Sequence, residues 1–167
     1  VALIGLTIIE RYPFYTELLA ERKPGEIKKS ITIAFIVFMT LIGVTWGIFG
    51  EEKKYIIIAS VLAWGIGDAL AALVGKRSNT TQISNKLVKS TKTIEGSAAM
   101  FIASTVTIFL VIYFMGNNTL WYSIIVSLIA GVFATLTEMW TRDGWDTGTV
   151  PIIVTIIIIG FWIIKNK

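Results

Sequence analysis

The sequence predicts an all-α, polytopic transmembrane helical bundle with five full spans and a truncated or partial N-terminal helix. Of its 167 residues, 54% are hydrophobic and 16% are charged, whereas soluble domains carry about 25% charged residues. The apolar residues gather into runs near the ~17–25 residues that cross a bilayer. Nearly all the charges fall between the runs, and the basic ones alternate in abundance from one connection to the next. A single integral membrane domain over residues 1–167 is expected, with no separate soluble domain.

The runs follow in order. Val1–Ile9 is apolar but too short to span, and it lacks the basic start and small-residue cleavage site of a signal peptide. It is read as the end of a truncated helix. The full spans are Ile31–Phe49, Tyr55–Gly75, Ser97–Met115, Leu120–Trp140 and Val150–Ile164. The last is the shortest. Pro151 suits the first turn of its helix, with Thr149 before it as N-cap. Trp46, Trp121, Tyr122, Trp140 and Trp162 fall near segment ends, where interfacial aromatic belts form.

The connections set the orientation. Glu10–Ser30 carries Arg11, Arg22, Lys23, Lys28 and Lys29. Lys76–Gly96 carries Lys76, Arg77, Lys86, Lys89 and Lys92, and Thr141–Thr149 carries Arg142. The opposite side has Lys53, Lys54, Lys165 and Lys167. The first set is therefore expected in the cytoplasm, because cytoplasmic loops are enriched in Lys and Arg. A pI near 9.4 in such a protein gives no argument for nucleic-acid binding. The compact size suits the plasma membrane of a prokaryote.

There is no Cys and no His. Disulfides, thiolate nucleophiles, Ser-His-Asp triads and His-ligated zinc are excluded within this chain. Carboxylates, Lys, Arg, hydroxyls and backbone amides remain, a set that suits phosphate chemistry with a divalent ion.

Several charged residues ask for a reason. Asp68 lies inside the second span, about two turns before its cytoplasmic end, so roughly 10 Å deep at 1.5 Å per residue. A carboxylate at that depth is paired or functional. Gly67, Ala71 and Gly75 recur every fourth residue, and Gly65, Ala69 and Ala72 add to the small side, which favours close helix approach. Glu138 closes the fourth span at the end of a small, weakly polar stripe of Ser127, Ala130, Gly131, Ala134 and Thr135. That stripe should pack inward and aim Glu138 into the cytoplasmic mouth. Asp143 and Asp146 lie in a glycine-containing loop that suits a metal, a phosphate or merely a turn. Lys89–Ser97 leads straight into the third span. There a helix start offers free amides and a positive dipole end, Ser97 or Thr93 can cap, Gly96 permits close backbone approach, and Lys92 can neutralise phosphate.

Each feature alone has a structural explanation: an ion pair, an interfacial Glu, a turn, a capped helix start. Together, topology brings Asp68, Lys92, Glu95, Glu138 and Asp146 to the cytoplasmic ends of spans two to five. Acidic and basic groups at helix starts suit a nucleotide with Mg²⁺, which takes one or two carboxylates plus phosphate oxygens. Phosphoryl transfer needs mainly positioning and charge stabilisation.

Gly67-Asp68-Ala69-Leu70-Ala71-Ala72-Leu73-Val74-Gly75-Lys76-Arg77 followed by Lys92-Thr93-Ile94-Glu95-Gly96-Ser97 resembles the signature of the CTP-dependent lipid-alcohol kinases: dolichol kinase, phytol kinase and the CTP-dependent diacylglycerol kinase. Asp146-Thr147-Gly148-Thr149-Val150-Pro151 is similar to the Asp-Asn-Leu-Thr-Val-Pro element of the phytol kinase branch. Glu10-Arg11 echoes the end of the family's preceding helix. The chain departs from the family pattern at Thr147, which replaces Asn, at Asn79, which stands near the place of a glycine, and in lacking an upstream His-containing element.

The resemblance implies transfer of the γ-phosphate of CTP to a lipid hydroxyl, with Mg²⁺, in a membrane and without nucleic acid. Carried over, Asp68, Lys92, Asp146 and Glu138 are catalytic. Lys76, Arg77, Lys92, Thr93, Glu95, Gly96 and Ser97 bind nucleotide, and Asp68, Glu95 and Asp146 hold metal. Two other readings compete. A CTP:phosphatidate cytidylyltransferase shares a similar Gly-Asp block and Lys-Thr-x-Glu-Gly element, but ends in a Gly-rich, His-containing stretch with paired Asp residues. An ion-coupled transporter would use Asp68 and Glu138 as coupling ligands, yet transporters often show internal repeats and none is visible. The lipid itself (a polyprenol or dolichol, phytol, geranylgeraniol or diacylglycerol) is not named by the sequence.

Overall fold

The computed structural model describes residues 26–78, 92–141 and 145–167. The N-terminal apolar run, the Glu10-Arg11 echo, Lys86, Lys89, Arg142 and Asp143 lie outside the described residues. Five helices follow one another: α1 Glu26–Phe49, α2 Lys54–Arg77, α3 Ile94–Leu110, α4 Leu120–Trp140 and α5 Asp146–Lys165. A single 3₁₀ turn, Glu51–Lys53, leads into α2, and α3 ends in a π-helical turn, Val111–Met115. All five are long and apolar enough to cross a membrane. The chain is thus an all-α bundle of the multi-pass membrane type, and no strand occurs among the described residues.

Neighbours in sequence are neighbours in space. α2 packs most extensively on α3, α3 on α4, α4 on α5, and α5 returns to α2, closing a four-helix ring. α1 lies outside this ring against α2 and α5. Its most apolar window is 11% buried, against 33–39% for the other four. Gly148 lets it approach α5, since a side chain there would meet Ile33 and Val37 at 3.0 and 3.1 Å.

Within the ring, the small residues decide the spacing. Gly67, Ala71 and Gly75 lie toward α3: a Cβ on Gly67 would sit 2.5 Å from Met100 Sδ, and one on Gly75 2.9 Å from Thr93 Oγ1. The other small set on α2 does not share that role. Gly65, Ala69 and Ala72 are exposed, on the outward side of the helix, because they lie about 100° or more around it from the α3 contact. On α4, the stripe Ser127, Ala130, Gly131, Ala134, Thr135 and Glu138 is buried as expected. The core between the helices is aliphatic, built of Ile56, Met100, Ile108, Ile112, Val126, Val154 and Ile158.

Some of the polar groups in the membrane interior pair with one another or with the main chain. Thr155 Oγ1 donates to Ser60 Oγ at 2.9 Å, joining α5 to α2, while Ser60 donates to the Ile56 carbonyl at 2.8 Å. At the end of the bundle where α3 turns into α4, Asn118 Nδ2 bonds the carbonyls of Ile112 and Gly116, and its Oδ1 accepts from Lys165 at 2.8 Å. Lys165 also lies 4.7 Å over the Tyr122 ring. Trp46, Trp121 and Trp140 are exposed at helix ends, in keeping with interfacial belts.

The last helix differs from expectation. It begins at Asp146 rather than Val150, and Thr149 is not its cap: the amides of Gly148 and Thr149 already bond the Trp145 carbonyl at 3.1 and 3.0 Å. Pro151 therefore falls in the second turn, inside the helix, where a residue with an N–H would bond the Thr147 carbonyl and proline forgoes that bond.

Gly131 offers the sharpest test of this packing, because a Cβ there would collide with Thr105 Oγ1 and crowd the Thr105 main chain at 3.3 Å. Gly131→Ala should lower stability by about 1–3 kcal/mol in thermal unfolding in detergent. Gly160→Ala, with nothing within 4 Å of its Cβ, should be neutral or slightly stabilising.

Candidate functional site

Antiparallel connection brings the C-termini of α2 and α4 and the N-termini of α3 and α5 to one end of the ring. Asp68, two turns before the end of α2, follows Gly67, whose contact with Met100 draws α2 against α3. Glu138 ends the buried stripe of α4, and Asp146 is the first residue of α5. Each of the three offers a carboxylate oxygen, and these oxygens lie within 4.8 Å of one another. Asp68 and Asp146 are half-buried, and Glu138 is buried. Asp146 Oδ1 also accepts from the Thr147 amide at 2.9 Å.

Lys92 faces this group from the start of α3. Its Nζ lies 2.5 Å from Glu138 Oε1 and also donates to the Glu138 main-chain carbonyl. The lysine side chain is 17% exposed and the glutamate 6%. Glu138 Oε2 is shielded from solvent with no hydrogen-bond partner among the described residues. A buried carboxylate oxygen without a donor is costly.

The donor set fits a small hard cation. Such an ion holds oxygens at ~2.0–2.1 Å, so oxygens on opposite sides of it stand about 4.2 Å apart. At most one pair among three such oxygens stands opposite, and the others lie about 2.9 Å apart, so three oxygens within 4.8 Å of one another would draw inward to share one ion. The unpartnered Oε2 of Glu138 is the atom that would gain most.

The expected metal set was Asp68, Glu95 and Asp146. The structure joins Asp68 and Asp146 with Glu138, and Glu95 is not in the group. Glu95 sits in the first turn of α3, where its Oε2 accepts from Ser78 Oγ at 3.5 Å, so it ties α3 to the end of α2. Its direction follows from its place in the first turn of α3, whereas Glu138 projects from the inward stripe of α4.

The helix start around Lys92 is well defined. Thr93, not Ser97, is the N-cap of α3, with its Oγ1 accepting from the Gly96 amide at 3.1 Å. Ser97 Oγ is buried with no hydrogen-bond partner among the described residues. Gly96 is buried against α2, where a Cβ would meet the Ala71 carbonyl at 3.0 Å and the Gly75 Cα at 3.6 Å. Its missing side chain serves the helix crossing, a role different from the open backbone expected of it. Lys76 and Arg77 are exposed in the last turn of α2, at the same end as the site. The Lys92–Glu138 pair has no direct sign in the residue order; the signal that bears on it is the inward stripe that ends at Glu138.

Comparison of the chain with protein-family models, with curated proteins and with solved structures finds no match.

The cap can be checked by itself. Thr93→Ala should cost about 1 kcal/mol in thermal unfolding, and Thr93→Ser, which keeps the accepting oxygen, should recover most of that loss.

Proposed function

We propose that the chain is a CTP-dependent kinase that transfers the γ-phosphate to the hydroxyl of a lipid alcohol at the cytoplasmic face of a membrane. The observation that carries this reading is the meeting of Asp68, Glu138 and Asp146 within 4.8 Å, beside Lys92 and the capped start of α3, at the basic end of a membrane bundle. Carboxylates for a cation and a lysine at a helix N-terminus for phosphates are the two halves of a nucleotide-phosphate site.

In this reading Asp68, Glu138 and Asp146 would hold Mg²⁺, which when bound neutralises charge on the phosphates. Lys92 grips the phosphate chain, and Lys76 and Arg77 at the tip of α2 draw the nucleotide in. Thr93, Glu95, Gly96 and Ser97 shape the loop beneath it, Thr93 by fixing the first turn of α3 and Gly96 by seating that turn on α2. The lipid hydroxyl oxygen attacks the γ-phosphorus, the bond from phosphorus to the β-bridging oxygen breaks, and CDP leaves. Asp146, half-buried at the start of α5, takes the hydroxyl proton. The apolar body of the alcohol stays in the bilayer beside the helices.

Transfer assays in detergent with Mg²⁺ and a pool of lipid alcohols and phosphatidate test this. CTP labelled at the γ-phosphate should label lipid, and CTP labelled at the α-phosphate should not. Label from the α position would instead make the chain a cytidylyltransferase, and label from neither would turn attention to ion-coupled transport. Asp68→Asn should abolish transfer while leaving expression and thermal unfolding intact; an active variant would remove Asp68 from the site.

A further inference from the structure

Glu138 serves two partners at once. Its Oε1 and its main-chain carbonyl are both bonded by Lys92, while Oε2, dry and unpartnered, belongs to the carboxylate that stands with Asp68 and Asp146. A divalent ion drawn to that group and the Lys92 ammonium would then sit on one carboxylate, close together in a partly desolvated place, where like charges repel far more than in water. The two cations therefore oppose one another.

The lysine has somewhere else to go. It precedes Thr93, whose cap fixes the start of α3, so its four-carbon stem can swing from an anchored main chain without disturbing the helix. Its three donors rotate freely. An anion at the N-terminus of α3 would be favoured by the helix dipole and would lie beside the root of this side chain.

We infer that Lys92 is an exchangeable counter-ion: it competes with a divalent cation for Glu138, and cation binding releases it to the phosphates of the nucleotide. This rests on the reading of Asp68, Glu138 and Asp146 as a cation site. The pair held in the structure is then the closed setting of the site, in which the phosphate-gripping lysine is occupied. Cation and nucleotide phosphates help each other bind, because each removes a competitor of the other, and such coupling is reciprocal.

The test uses the full chain in detergent without nucleotide, with Mn²⁺ as probe and free Mn²⁺ read by electron paramagnetic resonance. Lys92→Met should bind Mn²⁺ about tenfold more tightly than the unaltered chain, and Asp68→Asn should bind it more weakly. In the unaltered chain, Mn²⁺ should speed acetylation of Lys92 severalfold by mass spectrometry, and Asp68→Asn should remove that acceleration. If Lys92→Met binds Mn²⁺ no better while Asp68→Asn weakens it, the cation site stands and the exchange is wrong. If the unaltered chain binds Mn²⁺ no better than Asp68→Asn, the cation reading fails and the exchange with it. Should Lys92→Met not fold, acetylation of the unaltered chain decides: a rate unchanged or slowed by Mn²⁺ overturns the exchange.

Discussion

The contact of α2 with α3 sets the position of nearly everything at the polar end of the bundle. It is close because side chains are missing: Gly67 beside Met100, Gly75 beside Thr93, Gly96 beside Ala71 and Gly75. In a membrane, lipid is as apolar as the helices, so association rests on packing and close approach. The residues that follow from this crossing are polar. Asp68 adjoins Gly67, and Lys92 and Thr93 precede the turn that Gly96 seats. A side chain at Gly96 would move α3 off α2 and carry the lysine away from the carboxylates.

The second constraint is electrostatic. A carboxylate as buried as Glu138 is held in place by opposite charge and hydrogen bonds, and removing one partner of such a pair costs about 3–5 kcal/mol. Lys92 supplies both a charge and a second bond to the main chain of the same residue. That double hold fixes the end of α4 to the start of α3. The oxygen left over is what makes the arrangement more than a strut, since a purely structural pair gains nothing from a dry, unpartnered Oε2.

The spans were legible in the sequence because each needs only a long apolar run between charged connections. The inward stripe on α4 was legible because Ser127, Gly131, Ala134 and Glu138 keep helical spacing. On α2 two small-residue sets were on offer, and sequence order could not say which would meet α3; the inward choice is Gly67, Ala71 and Gly75, and the other set is exposed. The meeting of Asp68 with Asp146 was readable from topology alone. Glu138 in the place given to Glu95 was not, because both acids lie at the same end and only their helix faces separate them. The start of α5 was misplaced by four residues because Pro151 marks a helix beginning without fixing how many free amides precede it.

The hydroxyl pair of Ser60 and Thr155 has a consequence at the other end of its two helices. From that bond, Asp68 is eight residues along α2 and Asp146 is nine residues back along α5. At 1.5 Å per residue these are climbs of about 12 and 13.5 Å, so the two carboxylates arrive at nearly the same height. One hydrogen bond between small hydroxyls thus acts as the zero mark of a ruler with two equal arms. An extra residue inserted between Ser60 and Asp68 would lengthen one arm slightly but turn the aspartate through about 100°, out of the ring.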